Sequence, residues 1–464
     1  MLSNLRKRLK RRERPPDIPC VSGLPTYRGP FTREQAERLL WRAGFGPRKG
    51  EAETLAKLGL ERAVTLLTRP GTNRLVGPAP KDEQGRPLAP LDAWGHDGLW
   101  WLDRMVRTRA PLVERMALVW HDWFATSNDG VGSSRLMLRQ NRVFREHGLG
   151  SFRRLLLEVT RDPAMLLWLS GSDNNRWSPN ENYARELMEL FTLGHGHGYT
   201  EADVRQQARA LTGFRNDWSR SQGPVRFRYD PKYHDGGTKR VFGKRGHFTW
   251  RDSCRLCLEH PAHPAFFVKK LWSYFVPVAP TQATLRTLEH LYVSSGYKVR
   301  SVVEAILRHP AFYLGPRMVK PPAVLIAGTL RTLGRGVDTT AWTWLSALCG
   351  QQLFYPPNVA GWDDDRWLDT ATFRARWQTA GYALRPFNVS TKTQRPRDAD
   401  ALVAAAHAFL GRPTLTPGTD AALKRFAKAA LADADATWKH NQYPSLIENA
   451  LRQLIVSSPD YQTC

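Results

Sequence analysis

The sequence predicts a mainly α protein, a large multi-helix domain with a small β-hairpin insertion. Three observations predict it. Apolar residues recur at the three-and-four spacing of an amphipathic helix through most of the chain. Capping residues, glycines and prolines punctuate those runs where helices should start and stop. Alternation of period two is confined to residues 225–250, in VRFRYD and VFGKRGHFTW, which read as the hairpin insertion. No fixed-period repeat runs through the chain.

Taken in order, residues 1–30 read as a basic, proline-containing disordered tail. A helical core domain follows over 31–387. Its first helix starts at Thr32, a capping residue followed by Glu in TREQAERLLWRAGF. GLERAVTLLTRPG is a second helix, ended by Pro70-Gly71. Residues 71–91, rich in Gly and Pro, form a loop. A helical pattern runs from Trp100 to Phe124. Further helices are expected at 135–146, 151–160, 179–193, 201–212, 264–276, 282–293, 300–308, 320–333 and 341–348. A polar linker covers 388–399. C-terminal helices at 400–410, 419–432 and 444–457 belong to a segment, 400–464, that packs on the core.

The chain has 464 residues, 42% hydrophobic and 24% charged, the balance of an ordinary globular protein. No apolar run reaches the roughly 18 residues of a membrane span. The N-terminus is basic without a following apolar segment, so Arg11-Arg12 makes no export signal, and the expectation from composition is cytoplasmic. Five cysteines, an odd number, make no disulfide framework and fit reduced thiols. The formal charge of +25 raises a polyanion partner such as nucleic acid. No helix-turn-helix, zinc-finger or RNA-recognition signature accompanies the basic cluster Arg6–Arg14, so a solvated tail is the favoured reading over specific nucleic-acid binding. Gly-x-Ser-x-Gly, P-loop and Rossmann fingerprints are missing, which disfavours serine hydrolases, NTPases and dinucleotide enzymes.

The helix at 179–193 carries the most chemistry. Ser178 is the expected N-cap, Pro179 the first helical residue, Glu181 the partner of a capping box and Gly194 the stop. Tyr183, Ala184, Leu187, Met188, Leu190 and Phe191 cover its apolar side. Asn182, Arg185, Glu186 and Glu189 share the other face at i, i+3, i+4, i+7. Two carboxylates one turn apart can bind a cation or share a proton, and Arg185 with Glu189 can equally be an ordinary surface pair. Thr200 and Asp203 form a second capping box, and His195 and His197 sit in the glycine-rich link between the two helices.

Other candidates are weaker. His121, in the apolar run LVWHDWF, reads as a core histidine. Cys254, Cys257, His260 and His263 have zinc-like residue types at a spacing too compact for a standard module. Asp363, Asp364 and Asp365 lie in a loop, YPPNVAGWDDDRW, that reads as packed surface.

NENYARELMELFTLG followed by YTEADVRQQARALTGF resembles the bacterial domain-of-unknown-function 1800 family. LVWHDWFATS, YHDGGTKRVFG, FVKKLWSYFV, ILRHPAFY, QQLFYPPNVAGW and SSPDYQ fit in order, so the likeness spans roughly 31–464. The resemblance implies motif positions at His121, Asn182, Arg185, Glu186, Glu189, Asp203, His234, Asp235 and Lys239, and at Asn358, Gly361 and Trp362. It implies no settled activity. It implies a commonly exported protein, often encoded beside another similar to alkaline phosphatases and sulfatases. Two positions depart: Trp123 stands where many relatives have a second histidine, and Val324 where many have glutamate.

Together these readings give three expectations. The first is an enzyme whose His121, Glu186, Glu189, His234 and Asp235 hold a divalent metal such as Zn, Mn or Fe. Glu186 and Glu189 there serve as ligands or general base, and Arg185 or Lys239 binds an anionic substrate. The second is a non-catalytic accessory protein that binds or matures a partner, with the polar motif as internal network. It should show an exposed apolar patch. The third is polyanion binding through the basic surface.

Overall fold

The computed structural model describes residues 23–433 and 437–464, so the Arg6–Arg14 cluster lies outside the described residues. The protein is mainly α, with two small antiparallel hairpins inserted between helices. No described helix is long and apolar enough to cross a membrane.

Helix Arg33–Arg42 begins at Thr32, whose capping box closes through Gln35. Helices Glu51–Leu58 and Leu60–Thr68 follow, divided at Gly59, where φ is +76°. The predicted run from Trp100 to Phe124 is two helices, His96–Arg107 and Pro111–Trp123. Pro111 lacks the N–H a continuing helix needs, and the Thr108 hydroxyl accepts from the N–H of Ala110 at 2.9 Å in the break between them. Ser134–His147 and Phe152–Thr160 form as expected, and the short helix Pro163–Trp168 follows on the Asp162 cap.

The helix expected at 179–193 differs in both start and kind. It begins at Asn182, is α-helical to Glu186 and then π-helical over Leu187–Thr192. The Ser178 capping box does not form. The N–H of Asn180 is taken by Asn174 Oδ1 and that of Asn182 by Asn180 Oδ1, both at 2.9 Å. Such asparagine turns compete with helix for the same donors. Gly194 ends the helix as predicted, with φ +91°.

Helix Glu201–Ala210 leads into the insertion, which is wider than the predicted 225–250. Strands β1 (Phe214–Ser219) and β2 (Gly223–Tyr229) pair with Phe214 opposite Tyr229, and β3 (Lys239–Val241) pairs with β4 (Lys244–Gly246). The remaining helices pack among the earlier ones, Val299–Arg308 against Leu60–Thr68 and Pro322–Leu333 against His96–Arg107. Among them, Thr370–Leu384 escapes sequence periodicity because its buried side is mostly Ala and Thr, with Arg376 among them.

One apolar cluster joins these elements, from Tyr27 to Cys464. Trp101, Trp120, Trp123, Trp272 and Trp342 are its largest buried side chains. Helix Pro322–Leu333 is buried along its whole length. The last residues return to the start of that helix, with Thr463 bridging Val319 and Lys320 N–H donating to Gln462 O at 3.0 Å.

Candidate functional site

The π-helix shapes the polar region. Its wider turn and its end leave main-chain carbonyls without an intrahelical partner. Three side chains from other segments take them. Lys270 Nζ donates to Leu190 O at 2.9 Å, Trp123 Nε1 to Phe191 O at 3.1 Å and His263 Nδ1 to Thr192 O at 2.9 Å. His263 is wholly buried, which pushes its imidazole down to about 4, and its Nε2 lies 3.0 Å from the Tyr292 hydroxyl. Burial also lowers the Lys270 amine to about 8, and its charge rests 4.7 Å from the Trp123 ring centre.

The outward face of the same helix carries the acids. Arg185 reaches Glu201 at 2.7 Å, Glu181 at 3.2 Å and Glu189 at 3.4 Å. One guanidinium thus serves three carboxylates and is held strongly protonated, chiefly by its Glu201 hydrogen bonds. Glu186, half-buried, has neither hydrogen-bond nor ion-pair partner among the described residues. Burial raises its carboxyl, Glu189 raises it further and Arg185 opposes both. Burial and then Glu189 push the neighbouring Tyr199 phenol up to about 12. His195 is exposed and 3.5 Å from Glu189. Asn182 is exposed. Asp203 completes the Thr200 capping box, and its Oδ1 accepts the Phe242 N–H at 2.7 Å, which docks the β3–β4 turn.

The His-Asp-x-Gly-x-Lys segment closes on itself. Asp235 takes Arg209 through two oxygens at 2.7 and 3.2 Å and the Gly237 N–H at 2.8 Å. Burial works to raise this carboxyl, but the Arg209 hydrogen bonds and the added charges outweigh it and hold it low. His234 Nδ1 sits 3.0 Å from Thr212 O, and burial lowers the ring. Lys239 is buried and donates to the carbonyls of Asp235 and Gly237, its ammonium destabilised by burial.

His121 occupies a third environment. Trp101, Phe354 and Trp362 pack around its ring at 5.3–5.5 Å and Phe144 at 6.2 Å. Among the described residues neither ring nitrogen has a hydrogen-bond partner, and burial alone drops its basicity to about 3. Its neighbour Asp122 makes the polar contacts instead. Asp122 accepts from the Tyr274 hydroxyl at 2.6 Å and from the Trp362 N–H at 2.9 Å. Burial raises this carboxyl against both bonds. A Cβ on Gly361, at φ +98°, would lie 2.4 Å from Asp122 Oδ1, so only glycine fits there.

The structure therefore brings Arg185, Glu186 and Glu189 together on one face and His234, Asp235 and Lys239 together in one loop, with His121 among aromatic rings. Among the described residues no group of three or more His, Cys, Asp or Glu is placed to hold a metal ion. The donor set fits Zn, Mn or Fe poorly, since His121 faces rings and the Asp235 oxygens are engaged. The compact Cys-His run is likewise dispersed. Cys254 contacts Thr160, Cys257 contacts Gln207, and His260 lies 3.3 Å from Gly198 O. Burial pushes the Cys254 thiol up to about 12, so it is an inert core group. Asp122, Lys270 and Tyr274 were not singled out by sequence reasoning. The signal was a lysine and an aspartate inside otherwise apolar helices.

The model of a family described as "Protein of unknown function (DUF1800)" matches residues 38–463. The chain belongs to this family. No curated protein and no solved structure matches it. The DUF1800 resemblances seen in sequence segments thus extend over nearly the whole chain. They meet physically at Asp122, where the Trp-His-Asp-Trp, Lys-Leu-Trp-Ser-Tyr and Asn-x-x-Gly-Trp segments touch.

Proposed function

We propose that this chain is a non-catalytic accessory protein that binds a partner protein, with its polar motifs serving as internal scaffold. The observation that carries this reading is where those motif side chains spend their bonding capacity. Trp123 and Lys270 cap the π-helix, Asp122 fastens the Gly361–Trp362 loop, Asp203 docks the β3–β4 turn, and Asp235 and Lys239 close their own loop.

The surface supplies what such a role needs. Helices Ala341–Leu348 and Thr370–Leu384 pack on one another, and each turns an apolar i, i+4 pair outward. Trp344 with Leu348, and Phe373 with Trp377, are 43–51% exposed. Paired large apolar groups left in water mark interaction sites. The partner implied by family resemblance is the co-encoded alkaline-phosphatase-like protein. Co-expression should give a complex that co-elutes on size exclusion and is lost in Trp344→Ser/Trp377→Ser with helicity unchanged. Separate elution of the wild-type pair refutes the reading.

A second reading, an enzyme acting on an anionic substrate, is favoured by one residue. Glu186 is an unpaired carboxyl with raised proton affinity beside Glu189, the environment of a general acid or base. Glu189 would share its proton, and Arg185 would meet the anion. Lys239, being buried and engaged, would position the loop. Turnover of phosphate or sulfate ester probes by the wild type, lost in Glu186→Gln with the fold intact, would favour the enzyme, and no turnover by the wild type favours the accessory role.

A further inference from the structure

The two-hairpin insertion carries a feature that the partner-binding face does not. Between Phe214 and Arg251 the sequence has ten lysines and arginines against three aspartates and no glutamate. Arg220, Arg226, Arg228, Lys232, Arg240 and Arg245 are all exposed, and none of the three aspartates is. Each aspartate is already engaged. Asp217 pairs with Arg226 and Arg228, Asp230 caps the turn at Lys232, and Asp235 holds Arg209. Among the described residues Arg220, Lys232, Arg240 and Arg245 make no ion pair, so their charge is open to an outside partner.

The insertion and a loop fastened to it also expose two tryptophans. Trp218 on β1 is 74% exposed and Trp177 is 70% exposed. Trp177 belongs to a loop fastened to the insertion, since the Arg176 N–H donates to Tyr233 O at 2.9 Å and the Trp177 ring meets Tyr233 edge-on at 5.6 Å. Arg215 stacks over the Tyr233 ring at 4.4 Å. Free cations and exposed indoles on one insertion match an anion that also presents flat rings. Backbone phosphates take the cations, and unpaired bases stack on the aromatic faces. A duplex keeps its bases stacked on each other and offers only the charge.

We propose that this insertion is a docking surface for single-stranded nucleic acid. The test uses the full-length chain and fluorescence anisotropy with a labelled oligo-dT, a duplex of equal length and heparin, over a range of salt. Oligo-dT should bind more tightly than the duplex. Trp177→Ala/Trp218→Ala should weaken oligo-dT binding about tenfold or more and leave heparin binding unchanged. Arg220→Ala/Lys232→Ala/Arg245→Ala should flatten the salt dependence for all three probes. Circular dichroism checks that these exposed substitutions leave the fold intact. Equal binding of all three probes without an effect of the tryptophan pair would show a plain polyanion surface and overturn the proposal. Binding unaffected by either variant, or no binding to oligo-dT, would also overturn it.

Discussion

Lys270 Nζ lies 2.9 Å from the main-chain oxygen of Leu190 and joins helix His263–Ser273 to the end of the π-helix. A cation at a helix C-terminus meets both an orphan carbonyl and the negative end of the helix dipole. The contact is sheltered, because the amine is buried against Trp123 and Phe266. A lysine that looks like a misplaced charge in FVKKLWSYFV thus has a structural use.

Lys270→Met should therefore destabilise the fold by about 1–2 kcal/mol, the cost of leaving a partly buried acceptor unpaired. Trp123→Phe, which removes the N–H to Phe191 O and leaves space where the larger buried indole packed, should cost about 2–3 kcal/mol. Both are read from denaturant midpoints at unchanged slope. If Lys270→Met is neutral, the cap contributes nothing.

Gly361→Ala should be among the more damaging single substitutions in the chain. The new Cβ would displace the Asp122 carboxylate and strain a backbone at φ +98°. The expected loss is about 2–4 kcal/mol, strain plus hydrogen bonds to Asp122. Thermal unfolding checks this, and Asp122→Asn in the same background should add little, because the contact is already broken.

His121 makes stability depend on pH in a defined direction. Its imidazole titrates near 6.5 when unfolded and near 3 in the fold. Between those values the unfolded chain binds a proton that the fold excludes, so stability falls as pH drops below 6.5, by about 1.4 kcal/mol per pH unit. The groups around the ring are Trp101, Phe144, Phe354 and Trp362, none of which titrates in this window. His121→Phe should gain stability relative to the wild type as pH falls from 6.5 to 4.5. A stability difference that does not change with pH would contradict a buried neutral ring.

Arg209→Leu should loosen the loop without unfolding the molecule. Asp235 would lose its two hydrogen bonds from the guanidinium, and its carboxyl would rise. Hydrogen exchange should speed up at Gly237 and in β3–β4, while helix Pro111–Trp123 stays protected. Unchanged exchange in the loop would mean the ion pair is dispensable.

The helical architecture was legible because amphipathic spacing and caps act locally. The capping box of Thr200 with Asp203 read directly from sequence, and Thr32 read as a capping residue although its box closes through Gln35 and not a glutamate. Helix Thr370–Leu384 was not legible, since alanine and threonine pack inward without a strong apolar stripe. The start at Asn182 was hidden because Asn174 and Asn180 compete for donors that a lone Ser-Pro pattern assigns to a helix. The polar face of Arg185, Glu186 and Glu189 was legible from spacing. That Lys270, Trp123 and His263 converge on the carbonyls behind it was not, because those bonds join residues about 70–80 apart in sequence and depend on a π-turn that no residue pattern announces.

The central claim is that the polar motifs hold the molecule together while an exposed aromatic face binds a partner. Sedimentation velocity of the purified chain mixed with the proposed alkaline-phosphatase-like partner tests it most directly. The account predicts a complex with wild-type protein, an undiminished complex with Glu186→Gln, and none with Trp344→Ser/Trp377→Ser. A complex that survives the tryptophan substitutions, or is lost with Glu186→Gln alone, would contradict it.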